Sequence, residues 1–263
     1  VAAADCEGGF VRILVTNDDG VRAAGLHVLA DQLVRDGHDV LVAAPLQERS
    51  GSGTSLGTII DGATIRCVET TLPTPSAIPA FGIDAPPAMV VRAACEGALG
   101  APPELVVSGI NPGHNSGVLL IHSGTVGAAM TAVSLGVSAI AVSAGSRPHS
   151  RFDTAAALCS RIISALRDHA AAGPVAISLN VPDVDLEDVR GLVLAPVGAT
   201  SLTDVSMTRN GEVLTLHRIN HAEITDTEGD SAEIRRGYAT LTPLLFGMDS
   251  QKSESWRHFV GKI

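Results

Sequence analysis

Short apolar runs alternate with longer stretches of helical spacing through most of the chain. Residues 11–16 (VRILVT) and 39–45 (DVLVAAP) are brief and, past Arg12 and Asp39, mainly aliphatic, the pattern of strands buried on both faces. Between them Leu26, Leu29, Ala30, Leu33 and Val34 recur at helical intervals, with Gly37 placed to end the helix they predict. Further strands are predicted in ELVVSGI (104–110), SAIAVSA (138–144), VAISLNVP (175–182) and GLVLAPV (191–197). Helices are predicted in PPAMVVRAACEGAL (86–99), in GTVGAAMTAVSLG from Ser123 onward, and in FDTAAALCSRIISALRDHAAAG (152–173). Residues 58–69 and 77–83 are weaker β-prone stretches, separated by a proline-rich surface excursion.

Strands alternating with helices predict an α/β fold: a doubly wound, mainly parallel, Rossmann-like sheet in a three-layer arrangement. From residue 199 the texture turns polar and weakly alternating, and Asn210-Gly211 between two β-like runs signals a protruding β-hairpin arm. The expected organisation is a disordered leader over 1–10, an α/β catalytic domain over 11–198, a β-arm serving oligomerisation over 199–236, and a returning strand with a C-terminal amphipathic helix over 237–263.

The chain has 263 residues, 45% of them hydrophobic and 17% charged, which is enough to build a sizeable core and argues against disorder. A formal net charge of -10 argues against a nucleic-acid polymer or an anionic membrane as partner. An anionic small molecule remains compatible if the site supplies its own cation. Cys6, Cys67, Cys95 and Cys159 are widely spaced, so no disulfide framework is expected and a cytoplasmic location is the simplest. No apolar stretch has membrane-spanning length.

The first strand ends in Asn17-Asp18-Asp19-Gly20. Adjacent residues of a strand point to opposite faces, so the two carboxylates converge only if the chain turns, which Gly20 permits. Two convergent carboxylates suit a hard divalent cation such as Mg²⁺ or Mn²⁺, whereas the plainer reading is that Asp19 caps the next helix and Asp18 faces water. Three further loops follow strands on the same sheet edge: Arg49-Ser50-Gly51, the 108–113 stretch SGINPG, and Ser123-Gly124-Thr125. Ser50 and Asn111 offer neutral oxygen ligands, and the helix start at 123–125 offers hydroxyls and backbone amides to a phosphate. His114 and His122 are either proton donors to a leaving group or solvated loop residues. GSGTSLG (51–57) departs from dinucleotide-fingerprint spacing, and neither a P-loop nor an H-E-x-x-H helix is present.

Taken together, ILVTNDDG, ERSGSG, VVSGINPGHNSG with HSGTVGAAM, and GYATLTPL resemble the SurE survival-protein family of metal-dependent phosphatases and nucleotidases, from about Val11 to Leu245. The resemblance implies one divalent metal ion per subunit, held by Asp18, Asp19, Ser50 and Asn111, with the two aspartates catalytic. It places Asn17, Gly113, His114, Asn115, Ser123, Gly124 and Thr125 toward the phosphate ester, and implies hydrolysis of nucleoside monophosphates by a homodimer or homotetramer assembled through the arm and C-terminal segment. Two departures stand out: Gly82-Ile83-Asp84-Ala85-Pro86-Pro87 where the family shows G-T-P-x-D-C, and Met130-Thr131 where it commonly has a glutamate. Alternatives are a phosphatase for a sugar or natural-product phosphate, a non-catalytic nucleotide sensor, and a dinucleotide-binding oxidoreductase.

Overall fold

A computed structural model describes residues 11–145, 151–167, 173–220 and 228–244. The expected leader and C-terminal helix lie outside these residues. In chain order the elements are β1 (Arg12–Thr16), α1 (Ala24–Arg35), β2 (Asp39–Pro45), β3 (Cys67–Thr70), β4 (Ala80–Ile83), α2 (Pro87–Cys95), β5 (Leu105–Pro112), α3 (Gly124–Ser134), β6 (Ser138–Ala144), α4 (Phe152–Arg167), β7 (Ala176–Val181), β8 (Leu192–Leu194), β9 (Thr203–Asn210), β10 (Val213–Asn220), α5 (Asp230–Arg235) and β11 (Ala239–Leu244). Short 3₁₀ turns occupy Gly117–His122 and Leu186–Asp188.

Nine strands make one sheet in the order β3-β4-β2-β1-β5-β6-β7-β11-β8. Its centre is parallel, while β3 runs antiparallel to β4 and β11 antiparallel to β7. Strand alternation assigns the two layers. Ile13 and Val15 face α1 and α4, packing against Leu26, Leu29, Leu33, Ile162 and Ile163, whereas Leu14 between them faces α2 and α3 with Val91, Ala128 and Ala132. Complete burial of each large aliphatic side chain, such as Leu26 or Ile162, contributes roughly 1.5–3 kcal/mol. α3 is buried nearly all round because its alanines and glycines let it sit close to the sheet.

β1 lies between β2 and β5: the chain builds outward on one side through β2 and β4, then returns to place β5 on the other and builds the opposite way. The crevice opened by such a reversal lies at the carboxyl ends of the strands, where open α/β sheets bind ligands. NDDG follows β1, the Ser50 loop follows β2, and Asn111 ends β5.

Two predicted stretches differ from the structure. Of residues 58–69, only Cys67 onward pairs with β4, and Ile59 and Ile60 are exposed on an irregular loop. Within 199–236 the hairpin is confined to β9 and β10, which form their own two-stranded sheet, while α5 packs back onto the body against β11 and β7. Among the described residues no helix is long and apolar enough to cross a membrane, and Cys67, Cys95 and Cys159 are free thiols.

Candidate active site

After β1 the Asn17 side chain folds the chain on itself. Its Nδ2 donates to Gly20 O and its Oδ1 accepts from Gly20 N, both at 3.1 Å. Gly20 has φ +100, a conformation that β-carbon sterics disfavour for other residues. This turn lets Asp18 and Asp19 line one cleft despite their adjacency. Asn17 itself is fully buried, shapes the turn and does not line the cleft.

Asp18 is buried at the foot of the cleft. Its Oδ1 accepts from Thr125 Oγ1 at 2.6 Å. Burial pushes the carboxyl above the ordinary carboxylate range, and the Thr125 hydroxyl with the backbone of Gly124 and Thr125 pulls it back. A β-carbon at position 124 would stand 2.9 Å from Asp18 Oδ2 and 2.6 Å from Ser52 Oγ, so only glycine lets the helix start approach this closely. Ser123 caps α3, its Oγ accepting from Val126 N at 3.2 Å. Gly124 and Thr125 therefore stand behind Asp18 and hold it, while Ser123 lines the cleft.

Ser50 and Asn111 line the same cleft of about 670 Å³. Ser50 Oγ donates to Glu48 Oε1 at 2.9 Å, which leaves its lone pairs to serve a ligand. Asn111 Nδ2 donates to Gly113 O at 2.5 Å, so the amide oxygen is the atom left for one. No group of three His, Cys, Asp or Glu side chains suited to a metal occurs among the described residues. A cation here would rest on two carboxylates and two neutral oxygens, a hard-donor set suited to Mg²⁺ or Mn²⁺. Ser52 Oγ, buried beside Asp18 with no hydrogen-bond partner among the described residues, adds a further polar atom at this corner.

Residues 13–204 match the family described as Survival protein SurE. The chain belongs to the SurE family. It is similar to the 5'-nucleotidase SurE of Nostoc sp., at 32% identity over 258 residues covering 90% of this chain and 94% of the relative. It is also similar to the 5'-nucleotidase SurE of Xanthomonas campestris pv. campestris, at 34% identity over 240 residues and 89% of each chain. The crystal structure of the SurE protein from Aquifex aeolicus shares the fold, with a TM-score of 0.75 at 24% identity, covering 95% of this chain and 99% of that one.

The remaining SurE-like loop, 113–119, is held by distant partners. His114 Nε2 is 2.8 Å from Val181 O, and burial lowers the imidazole below its usual value against the opposing pull of that carbonyl and of Asp183. Such a ring is anchored rather than solvated. Asn115 is bonded on three sides: its N donates to Asn180 Oδ1 (2.9 Å), its Nδ2 to Ser143 Oγ (2.9 Å), and its O accepts from Asn180 Nδ2 (3.0 Å). The buried Asp230 carboxylate accepts from Gly117 N (3.0 Å), Gly198 N (2.9 Å) and Ser231 N (2.7 Å), and Ser231 Oγ donates to Ser116 Oγ at 2.8 Å. Sequence reasoning missed Asn180, Asp230 and the arm residues Thr203, Val205 and Arg218 that line the cleft. Asn180 had a signal of the kind given by Asn17, a polar amide ending an apolar run, whereas Asp230 had none.

Proposed function

We propose that the protein is a divalent-cation-dependent phosphomonoesterase that hydrolyses nucleoside monophosphates to nucleoside and phosphate, with one Mg²⁺ or Mn²⁺ per subunit. The observation that carries this reading is the meeting of Asp18, Asp19, Ser50 and Asn111 in one cleft at the reversal of the sheet. The names of the relatives support the nucleotide as substrate.

Asp18, Asp19, Ser50 and Asn111 would hold the ion, which supplies charge neutralisation for the phosphoryl oxygens. Thr125 and the start of α3 keep Asp18 in place with donors already aligned, so no reorganisation accompanies catalysis. Ser123 offers its hydroxyl to a phosphoryl oxygen from the cleft wall. Asp19, half-buried and cleft-lining, accepts the proton of the attacking water as the new P–O bond forms. His122, exposed in the same cleft, delivers a proton to the departing ester oxygen, a role that the anchored His114 ring cannot take. Water thus adds across the P–O bond and the nucleoside leaves as an alcohol.

The arm supports self-association. Met207, Leu214 and Leu216 are 60%, 63% and 59% exposed on it, an apolar stripe suited to a second copy of the chain in a dimer or tetramer. The test of function is phosphate release from nucleoside monophosphates and sugar phosphates, with and without chelator. Release from nucleotides that stops on chelation is expected; chelator-insensitive turnover would overturn the cation's role, and release from sugar phosphates alone would overturn the nucleotide.

A further inference from the structure

The cleft has two chemically different ends. One is the carboxylate and neutral-oxygen corner of Asp18, Asp19, Ser50 and Asn111; the other is the root of the arm. Register fixes what the arm presents there. Val205 pairs with Arg218, Met207 with Leu216 and Arg209 with Leu214, so these six side chains share one face of the ribbon, together with Thr203 by alternation. Thr203, Val205 and Arg218, all on that face, are the arm residues that line the cleft.

Arg218 is the one arginine or lysine among the described lining residues, in a cleft that also carries Asp18, Asp19 and Glu48. Its guanidinium makes no hydrogen bond or ion pair among the described residues, unlike Arg49, which donates to Asp84 at 2.7 Å, or Arg209, which donates to Gly211 O at 2.8 Å. Among the described residues its five N–H donors in a fixed plane are thus uncommitted, beside the Val205 side chain. That combination suits a flat or anionic group presenting two adjacent acceptors.

We infer that Arg218 determines leaving-group specificity, taking in bidentate fashion a paired acceptor on the part of the substrate remote from the phosphoryl group being hydrolysed. The inference rests on the nucleotide reading and refines it. Two sources share the chemistry: a second phosphate on the nucleoside, and the O6/N7 edge of guanine, which matches an arginine fork where adenine sets a donor beside its N7.

The experiment compares Arg218→Ala and Arg218→Lys with the full-length parent on GMP, AMP, adenosine 3′,5′-bisphosphate and phenyl phosphate, whose leaving group has no paired acceptor. Expected for Arg218→Ala is a loss in kcat/KM on GMP or the bisphosphate about tenfold greater than on phenyl phosphate, carried by KM, because the contact is made before and during the reaction. If the second phosphate is the source, the selective loss falls on the bisphosphate and lysine, a point charge, restores it; if guanine is the source, the loss falls on GMP and lysine does not restore it. Equal change on every substrate, or none, would overturn the assignment and leave the nucleotidase reading intact. Parent enzyme active on phenyl phosphate and on no nucleotide would overturn both.

Discussion

On the sheet side of the cleft, Asp18 is 3% exposed and its carboxylate is tied to Thr125 on a helix that begins more than a hundred residues later; on the arm side, Arg218 stands on a two-stranded ribbon whose Met207 and Leu214 are 60% and 63% exposed. The first wall is rigid because burying a carboxylate is tolerable only when donors surround it, and those donors must come from packed elements. The second wall has no core of its own, and a lone hairpin is marginal in water without something to pack against. Chemistry that requires fixed geometry belongs on the first wall, and recognition that tolerates adjustment belongs on the second. Substitutions should therefore separate by side.

The largest effect is expected from Asp19→Asn, which keeps shape and removes charge: phosphate release should fall at least about 100-fold, the scale of losing one preorganised electrostatic contact in a reaction centre. Release at the parent rate would break the assignment of chemistry to the sheet wall. Next is Asp230→Ala, which deprives the amides of Gly117, Gly198 and Ser231 of their acceptor and should cost about 2–3 kcal/mol in denaturant unfolding. The same residue gives a signed pH test. Burial raises its carboxyl against the pull of those amides, so the native state keeps the proton to higher pH than the unfolded chain. Its contribution to stability is fully present below the ordinary aspartate range and is lost as pH climbs through the raised value. The unfolding free energy of the parent, relative to Asp230→Asn, should decline over that interval; a flat difference would show that burial has not moved the group.

Gly124→Ala comes third. Its added methyl would meet Asp18 and Ser52 at under 3 Å, and overpacking of this kind costs about 1–3 kcal/mol, with activity falling as Asp18 is displaced. A variant as stable and active as the parent would show that the wall is softer than its contacts indicate. The smallest effect on folding is expected on the arm: Leu214→Asp with Leu216→Asp should change unfolding free energy by no more than about 0.5 kcal/mol. The same pair should shift the protein to a smaller species in light scattering. A parent that is monomeric at every concentration would remove the arm's proposed role in assembly.

The contrast also explains what the sequence made legible. Strands such as ILVT and LVVS are buried on both faces, so composition alone marks them, and Ser123 before a run of small residues announces α3. The NDDG corner was legible as a turn with two converging acids. The part of Asn17 in the turn was not, because a ligand and an Asx clamp use the same side chain, and its bonds to Gly20 are visible only in the fold. Gly124 and Thr125 look like phosphate binders for the same reason: a helix start suits any carboxylate or phosphate, and here the Thr125 hydroxyl bonds Asp18 while Gly124 packs against it. Asp230 and Arg218 were invisible. One acts by accepting from three segments that meet only in the fold, and the other acquires its place from hairpin register, which the weak polar alternation of 199–236 does not specify.

The position of β11 bears on the order in which the molecule is made. β8 has a single neighbour in the sheet, β11, and the whole hairpin and α5 intervene between them along the chain. A growing polypeptide can dock β1, β2 and β5 as they emerge, yet β8 waits at the edge until residues 239–244 arrive to slot between it and β7. Through that interval the far end of the arm is untied, and the Asp230 anchor for the 116–117 loop is made only shortly before β11. The NDDG corner is therefore among the first parts of the cleft to be synthesised and its opposite wall among the last to be secured, so the nascent chain passes through a stage with a formed carboxylate corner and an open arm side.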